Sequence, residues 1–456
     1  MAILSQIVAK VNSFLWDYLL LIVLVGGGIL FTIRTRFIQV RGFGDGLRRT
    51  FGGLFHKDKN NKAGSDGMSS FQSLATAVAA QVGTGNLAGA ATAIAVGGPG
   101  AIFWMWVSAF FGMATIYAEA VMAQKHKQTA ADGSVTGGPV YYIRAAFKGK
   151  FGKGLAGFFA VMVILALGFM GNAVQSNSIG DAFHNAFGIS PIIVGVAIAL
   201  ISLFVFLGGV SRIAKVTELL VPFMAAFYIL GALIVIVINY RSIPYVFQSI
   251  FVGAFNPQAV SGGVVGATVQ LAMKKGVARG LFSNEAGMGS TPHAHAIAKV
   301  KHPAEQGSVA MIGVFLDTFV VLNMTAFVII ITHSFTPDGS LTGITLTQTA
   351  FTSVFGKFGN IFVAICMLFF AFSTIIGWYF FGEANVRYLF GKKGIVPYAI
   401  IVCLCIVAGS AAKVSLVWDM ADCFNGLMVI PNIIALVALS GSVVKLMDEM
   451  PLKKKK

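Results

Sequence analysis

The chain has 456 residues, 57% of them hydrophobic and 11% charged, with a formal net charge of +16. Soluble domains carry roughly 25% charged residues, so this composition excludes a soluble globular protein. Apolar runs of about 20 residues match membrane helices and exclude barrel strands, which need only about 10.

The chain therefore reads as an all-α polytopic membrane protein. Eleven spans are predicted, at roughly 14–33, 68–95, 98–124, 155–181, 191–208, 216–239, 272–298, 307–333, 358–386, 395–412 and 416–444. No small-residue cleavage site follows 14–33, so this segment reads as a retained helix rather than a signal peptide. Most of the 33 Lys and Arg residues fall in segments that share one face if the N-terminus is outside. Cytoplasmic loops are enriched in these residues, which predicts N-out, C-in. The exceptions include Lys274, Lys275 and Arg279, crowded at the outer end of the seventh span. The positive charge thus follows topology rather than a nucleic-acid partner. The tail Lys453 to Lys456 reads as a cytoplasmic anchor near anionic lipid. Cys366, Cys403, Cys405 and Cys423 lie in apolar runs with neither zinc nor disulfide spacing, and read as core residues.

The second span contains AAQVGTGNLAGAATAI, Ala79 to Ile94. Gly83 to Asn86 are poor helix formers, and glycine costs about 1 kcal/mol against alanine in a helix interior. A helix break is predicted here. Backbone groups freed at membrane depth must face protein, water or a ligand. N–H groups of Thr84, Gly85 and Asn86, at the start of a half-helix, suit a carboxylate. A glycine-lined helix contact is the alternative.

In the fourth span, Gly168, Asn172 and Gln175 share one face. An amide facing lipid is costly, so this face looks inward. Gln175 is the candidate for substrate contact, and Asn172 contacts either substrate or another helix.

The seventh span fails in the same way. Leu281 to Ala296 holds Gly287, Gly289 and Pro292 together with Ser283, Asn284, Glu285, His293 and His295. The second span enters from inside and the seventh from outside, five spans apart. That is the pattern of an inverted five-plus-five repeat with one extra N-terminal helix. The domain reading follows: 1–66, extra helix and cytoplasmic linker; 67–240, first repeat; 241–271, outer loops; 272–445, second repeat; 446–456, basic tail. Gln81 and Asn284 add polar groups at the two breaks, and Gln81 either contacts substrate or closes the broken backbone. Among intramembrane acids, Asp317 lies deepest in a span and is the candidate proton relay. Glu285 reads as support for its break. Glu119 and Glu383, near cytoplasmic span ends, read as gate or surface ion-pair residues.

In the ninth span, Trp378 lies four residues after Thr374, on the same face. An indole there shrinks a pocket toward small side chains, and Ile375 lines the same wall.

The run GGPGAIFWMWVSAFFG, Gly97 to Gly112, is similar to the signature of the alanine/glycine:cation symporter family. VGTGN and GLFSNEAGMGSTP also resemble that family, and the likeness extends over about residues 14–445. The resemblance implies the leucine-transporter-like fold and sodium-coupled import of alanine or glycine by alternating access. It implies that the substrate ammonium lies near Phe282 to Gly287. It also implies a sodium ion held by Ser373 and Thr374 opposite the carbonyls of Ala79 and Val82. Oxygen ligands suit a hard cation. The alternative for the two hydroxyls is bonding back to their own helix. Trp104 and Trp106 in the signature read as interfacial or packing residues.

The expected partners are therefore a small amino acid, sodium as the co-transported ion, and the bilayer of the cell membrane. No obligate protein partner is implied. The alternatives are proton coupling or another small amino acid or amine as cargo. A metal enzyme is disfavoured because the rings of His293 and His295 diverge by about 200° on a helix. A channel is disfavoured because no filter-like repeat occurs.

Overall fold

The computed structural model describes residues 2–52, 67–129, 133–256, 268–336, 339–411 and 415–450. The basic tail Lys453 to Lys456, and parts of the expected cytoplasmic linker and outer loop region, lie outside these residues. The architecture is all-α apart from a two-residue hairpin, Gln128–Thr129 with Val135–Thr136.

Eight helical stretches among the described residues are long and apolar enough to cross a membrane. The broken segments fail that length test because each is interrupted. Pro191–Phe206, apolar but only 16 residues long, falls short of the usual 20 or so. Many large apolar side chains point outward, among them Leu200, Phe204, Leu219, Leu230 and Val237. A face of that kind suits lipid and would be a liability in water.

Around the broken helices the interior is lined by small and polar residues instead. Ala79, Thr84, Asn86, Asn284, Asp317 and Thr374 are all fully buried. Small side chains let backbones approach closely, which is how helices associate where lipid removes the hydrophobic drive.

The first broken helix opens at Ser70–Gln81. Ser69 caps it: its hydroxyl accepts the Gln72 N–H at 3.1 Å, and the Gln72 side chain accepts the Ser69 N–H at 3.0 Å. This reciprocal box satisfies two otherwise orphaned donors. The helix stops where Val82 leaves helical torsions, at φ −83 and ψ 88. It resumes as a wide-turned segment, Gly85–Gly89, and continues as Ala90–Gly97.

The second broken helix runs over Val269–Asn284 and resumes at Pro292–Ala296. The helix begins three residues before the 272 expected for the seventh span. Glu285, Gly287 and Gly289 all have positive φ, at 56, 88 and 82. Two of the three are glycines, which adopt this region without a Cβ penalty. Glu285 does not have that freedom and is held by side-chain bonds described below. At the far ends of the two breaks the chains pair directly. Met68 N–H donates to Ile297 O at 3.0 Å, and Lys299 N–H donates to Met68 O at 2.8 Å.

Lys357–Phe390 packs beside Ser70–Gln81 and Asn172–Phe187. It thereby brings its hydroxyls to the first break. Shorter helices connect the long ones: Phe43–Phe51, Pro139–Ala146, Ile243–Phe255 and Gly343–Phe355.

Candidate functional site

The two breaks lie side by side. A Cβ on Gly85 would touch Ser283 at 3.2 Å, so the first break leans directly on the second. Gly85 therefore faces a helix contact on that side rather than open space. A Cβ on Gly83 would meet the Thr374 hydroxyl and the Gln175 amide oxygen. Here glycine is required for close approach.

Three N–H groups of the first break have partners, that of Asn86 being Gly83 O at 3.2 Å. Gly83 N–H donates to Asn86 Oδ1 at 3.0 Å, and Thr84 N–H donates to Gln175 Oε1 at 3.2 Å. On the other side, the carbonyls of Ala79 and Val82 face the hydroxyl helix. Thr374 Oγ1 lies 3.0 Å from Ala79 O and 3.4 Å from Val82 O, and Ser373 Oγ lies 3.2 Å from Ala79 O. Both hydroxyls also reach Phe370 O, at 2.8 and 3.1 Å, the back-bonding common for Ser and Thr in helices. Four oxygens from two helices thus converge at the C-terminal end of a half-helix, where the dipole is negative.

The second break is closed by polar side chains. Gln81 Nε2 donates to Asn284 O at 2.6 Å, which is the backbone-closing role. Asn284 Oδ1 accepts Ala286 N–H at 3.1 Å. Glu285 receives two short bonds of 2.5 Å, one from the Trp378 indole N–H and one from the Ser290 hydroxyl. This pairing holds its left-handed backbone and fixes the indole at the break. The indole lies against Gly171, where any Cβ would collide with it. Phe282 meets Trp378 edge-on at 6.3 Å between ring centroids.

Glu119 takes a role that its position near a predicted span end did not suggest. It is fully buried and accepts Gly287 N–H at 3.0 Å, Gly289 N–H at 2.9 Å and Asn432 Nδ2 at 2.7 Å. A carboxylate accepting several N–H bonds forms strong, charge-assisted contacts. It holds the backbone of the second break in place of helix bonds. Gly287 itself faces Leu24, Ile433 and Thr115. Asn432, also missed from sequence, donates to Gly287 O at 2.9 Å as well.

Asp317 ties the two breaks together. Its Oδ1 accepts Asn86 Nδ2 at 2.7 Å and Ser283 Oγ at 3.0 Å, and its Oδ2 accepts Thr318 Oγ1 at 2.9 Å. Thr318 in turn accepts Asn284 Nδ2 at 3.3 Å.

The remaining candidates divide. Ile375 is buried beside Thr374. Asn172 bonds back to Gly168 O at 3.0 Å. Trp104 and Trp106 donate to Ala254 O and Asn323 Oδ1, which are packing contacts. No group of three or more His, Cys, Asp or Glu that could hold a metal ion occurs among the described residues. His293 lies between Asn385 and Ser290 O, and His295 is bonded by Gln306.

The side on which Met68 pairs with Ile297 is sealed further by Gln124, which donates to the carbonyls of His295, Ala296 and Ala298. Lys127 adds a bond to Ala298 O at 3.3 Å. Partial burial pulls the Lys127 ammonium below its usual pKa. At the opposite end, a cavity of about 300 Å³ reaches down to Phe282.

Comparison with known proteins bears on this geometry. The model of the sodium:alanine symporter family matches residues 1–456. The chain is 44% identical over 442 residues to the sodium/alanine symporter AgcS of Methanococcus maripaludis, covering 96% of this chain and 95% of that protein. It is 42% identical over 454 residues to the probable sodium/glutamine symporter GlnT of Bacillus subtilis, covering 99% and 92%. Among solved structures it resembles MhsT in complex with L-phenylalanine, with a TM-score of 0.57, 13% identity, and coverage of 83% and 97%. At that identity the likeness speaks for the fold alone.

Proposed function

The chain belongs to the sodium:alanine symporter family, and from that premise we propose that it imports a small amino acid, alanine or glycine, together with sodium. It is a multi-pass membrane transporter and not an enzyme. The proposal extends to eleven spans arranged as two inverted halves, 67–240 and 272–445, with the N-terminus outside.

The observation that carries the reading is the meeting of Ser373 and Thr374 with the carbonyls of Ala79 and Val82 at the first break. A hard cation with oxygens at about 2.4 Å places neighbouring ligands about 3.4 Å apart in octahedral geometry. The three hydroxyl–carbonyl separations, 3.0 to 3.4 Å, need little adjustment to reach that. The substrate carboxylate takes the N–H groups beyond the break, displacing the Gln175 oxygen from Thr84 and the Gly83 carbonyl from Asn86. Its ammonium faces the carbonyls of the second break, and Trp378, anchored by Glu285, limits the side chain. Phe282, Asn284 and Ile375 complete the proposed substrate surroundings; Gly287, turned toward Leu24 and Ile433 with both backbone groups bonded, does not.

Four neutral oxygens leave the bound ion uncompensated. Inward movement of one net charge through the full field then gains about 2.3 kcal/mol per 100 mV.

A second reading, proton coupling, is favoured by one observation: Asp317 bonds both broken helices at once. The name of GlnT raises glutamine as a rival cargo. One experiment addresses all three. Labelled alanine, glycine and glutamine are offered to proteoliposomes with a sodium gradient, a proton gradient or neither. Alanine or glycine uptake driven by sodium alone is expected. Uptake that follows the proton gradient and ignores sodium overturns the ion assignment, and preference for glutamine overturns the cargo.

A further inference from the structure

Lys274, Lys275 and Arg279 oppose the charge asymmetry of the chain, and all three stand on the helix Val269–Asn284. All three line the cavity above Phe282, which also contains Asp17, Asp419 and Asp422. We propose that this cavity is a docking site for a zwitterionic amino acid, separate from the central breaks. Arg279 and Lys275 take the carboxylate, and Asp422 and Asp419 take the ammonium. The inference rests on the amino-acid reading above.

The charges are close but not tied. Arg279 Nη2 lies 3.6 Å from Asp422 Oδ2, and Lys274 Nζ lies 4.0 Å from Asp17 Oδ1. A charge-assisted hydrogen bond closes to about 2.7–2.9 Å. A ligand carrying both signs can therefore enter between these partners and improve on both contacts. The wall also holds unmet polar atoms. Asp422 Oδ1 and Asn12 Oδ1 are buried with no hydrogen-bond partner, although the backbone carbonyls of Asp422 and Asp419 are taken by Trp16 at 3.0 Å and Asn12 at 2.7 Å. Buried polar groups are normally paired, and an ammonium supplies the donor that Asp422 lacks. The Asp422 and Arg279 side chains are only 18% and 24% exposed, so their charges act with less screening than at an open surface.

Size and position agree with this role. Small-molecule pockets span roughly 300–1,000 Å³, and this cavity of about 300 Å³ stands at the lower end. Its floor is Phe282, with the Arg279 guanidinium 5.8 Å from the ring centroid. Phe282 directly precedes Ser283 and Asn284 of the second break. A zwitterion held here waits one aromatic side chain away from the central site, and rotation of Phe282 joins the two.

The test uses full-length Ala278→Cys, which places a thiol in the cavity wall, labelled by a membrane-impermeant thiol reagent and read against the unsubstituted chain. In intact cells the thiol should label from outside, and labelling only in inverted vesicles overturns the proposal. Alanine should slow labelling several-fold without sodium, and should still do so with Thr374→Val added, since the central site needs its ion. Arg279→Gln or Asp422→Asn should abolish protection. Arg279→Lys should retain it, which separates lost charge from misfolding. Acetate or ethylammonium, each bearing one charge, should protect far less than alanine. Protection absent, surviving both neutral variants, or matched by acetate overturns the docking site. Alanine uptake in the same preparation tells the two readings apart: uptake without protection sinks this site alone, while neither uptake nor protection sinks both.

Discussion

The Asp317 carboxylate accepts the side-chain amide of Asn86 at 2.7 Å. The residues are 231 apart in sequence, and the same oxygen also receives the Ser283 hydroxyl. One carboxylate therefore registers the first break against the second. Movement of either half-helix during transport must carry or break these bonds.

Asp317→Asn keeps the volume but turns one acceptor into a donor. Either Asn86 and Ser283 together or Thr318 then loses its acceptor, at a cost of about 1–3 kcal/mol for each buried polar group. The purified variant should melt earlier and transport poorly. Its pH profile separates the two coupling readings. If sodium drives uptake, residual activity keeps the wild-type pH dependence. If Asp317 carries the proton, uptake becomes insensitive to pH.

Thr374→Val preserves shape and removes the hydroxyl that lies between Ala79 O and Val82 O. Loss of one ligand worth about 1 kcal/mol corresponds to roughly a five-fold change. The sodium concentration for half-maximal uptake should rise by at least that factor with expression unchanged. An unaltered sodium dependence removes Thr374 from the ion site.

Trp378 bears on cargo size. Trp378→Ala should admit leucine, measured by competition against labelled alanine. Trp378→Phe keeps most of the wall but strips Glu285 of its indole donor. This variant should keep the size limit and lose about 1–3 kcal/mol of stability. If the alanine variant still rejects leucine, the indole does not set the limit.

The Gln175 oxygen occupies the Thr84 N–H at 3.2 Å, where the proposed carboxylate binds. Gln175→Glu places a permanent anion there and should weaken alanine binding strongly. Alaninamide, which lacks the carboxylate, should bind several-fold more weakly than alanine to the wild-type chain. Equal competition by alaninamide shows that the break does not read a carboxylate.

Both breaks were legible in the sequence because their cause is local. Gly83 and Gly85 in one apolar run, and Gly287, Gly289 and Pro292 in another, carry helix-breaking torsions in their own covalent structure. The placement of Gln175 on an inward face likewise followed from a period of 3.6 and the cost of an amide in lipid. Glu119 was a different matter. Nothing within a few residues of it distinguishes a carboxylate that caps Gly287 and Gly289 from one at a membrane surface, because its partners lie 168 and 170 residues away. The same holds for Asp317 with Asn86, for Trp378 with Glu285, and for Arg279 with Asp422. Local propensity determines where the backbone must leave the helix. Which side chains then satisfy the freed N–H and C=O groups depends on helix packing, and only the tertiary structure decides that.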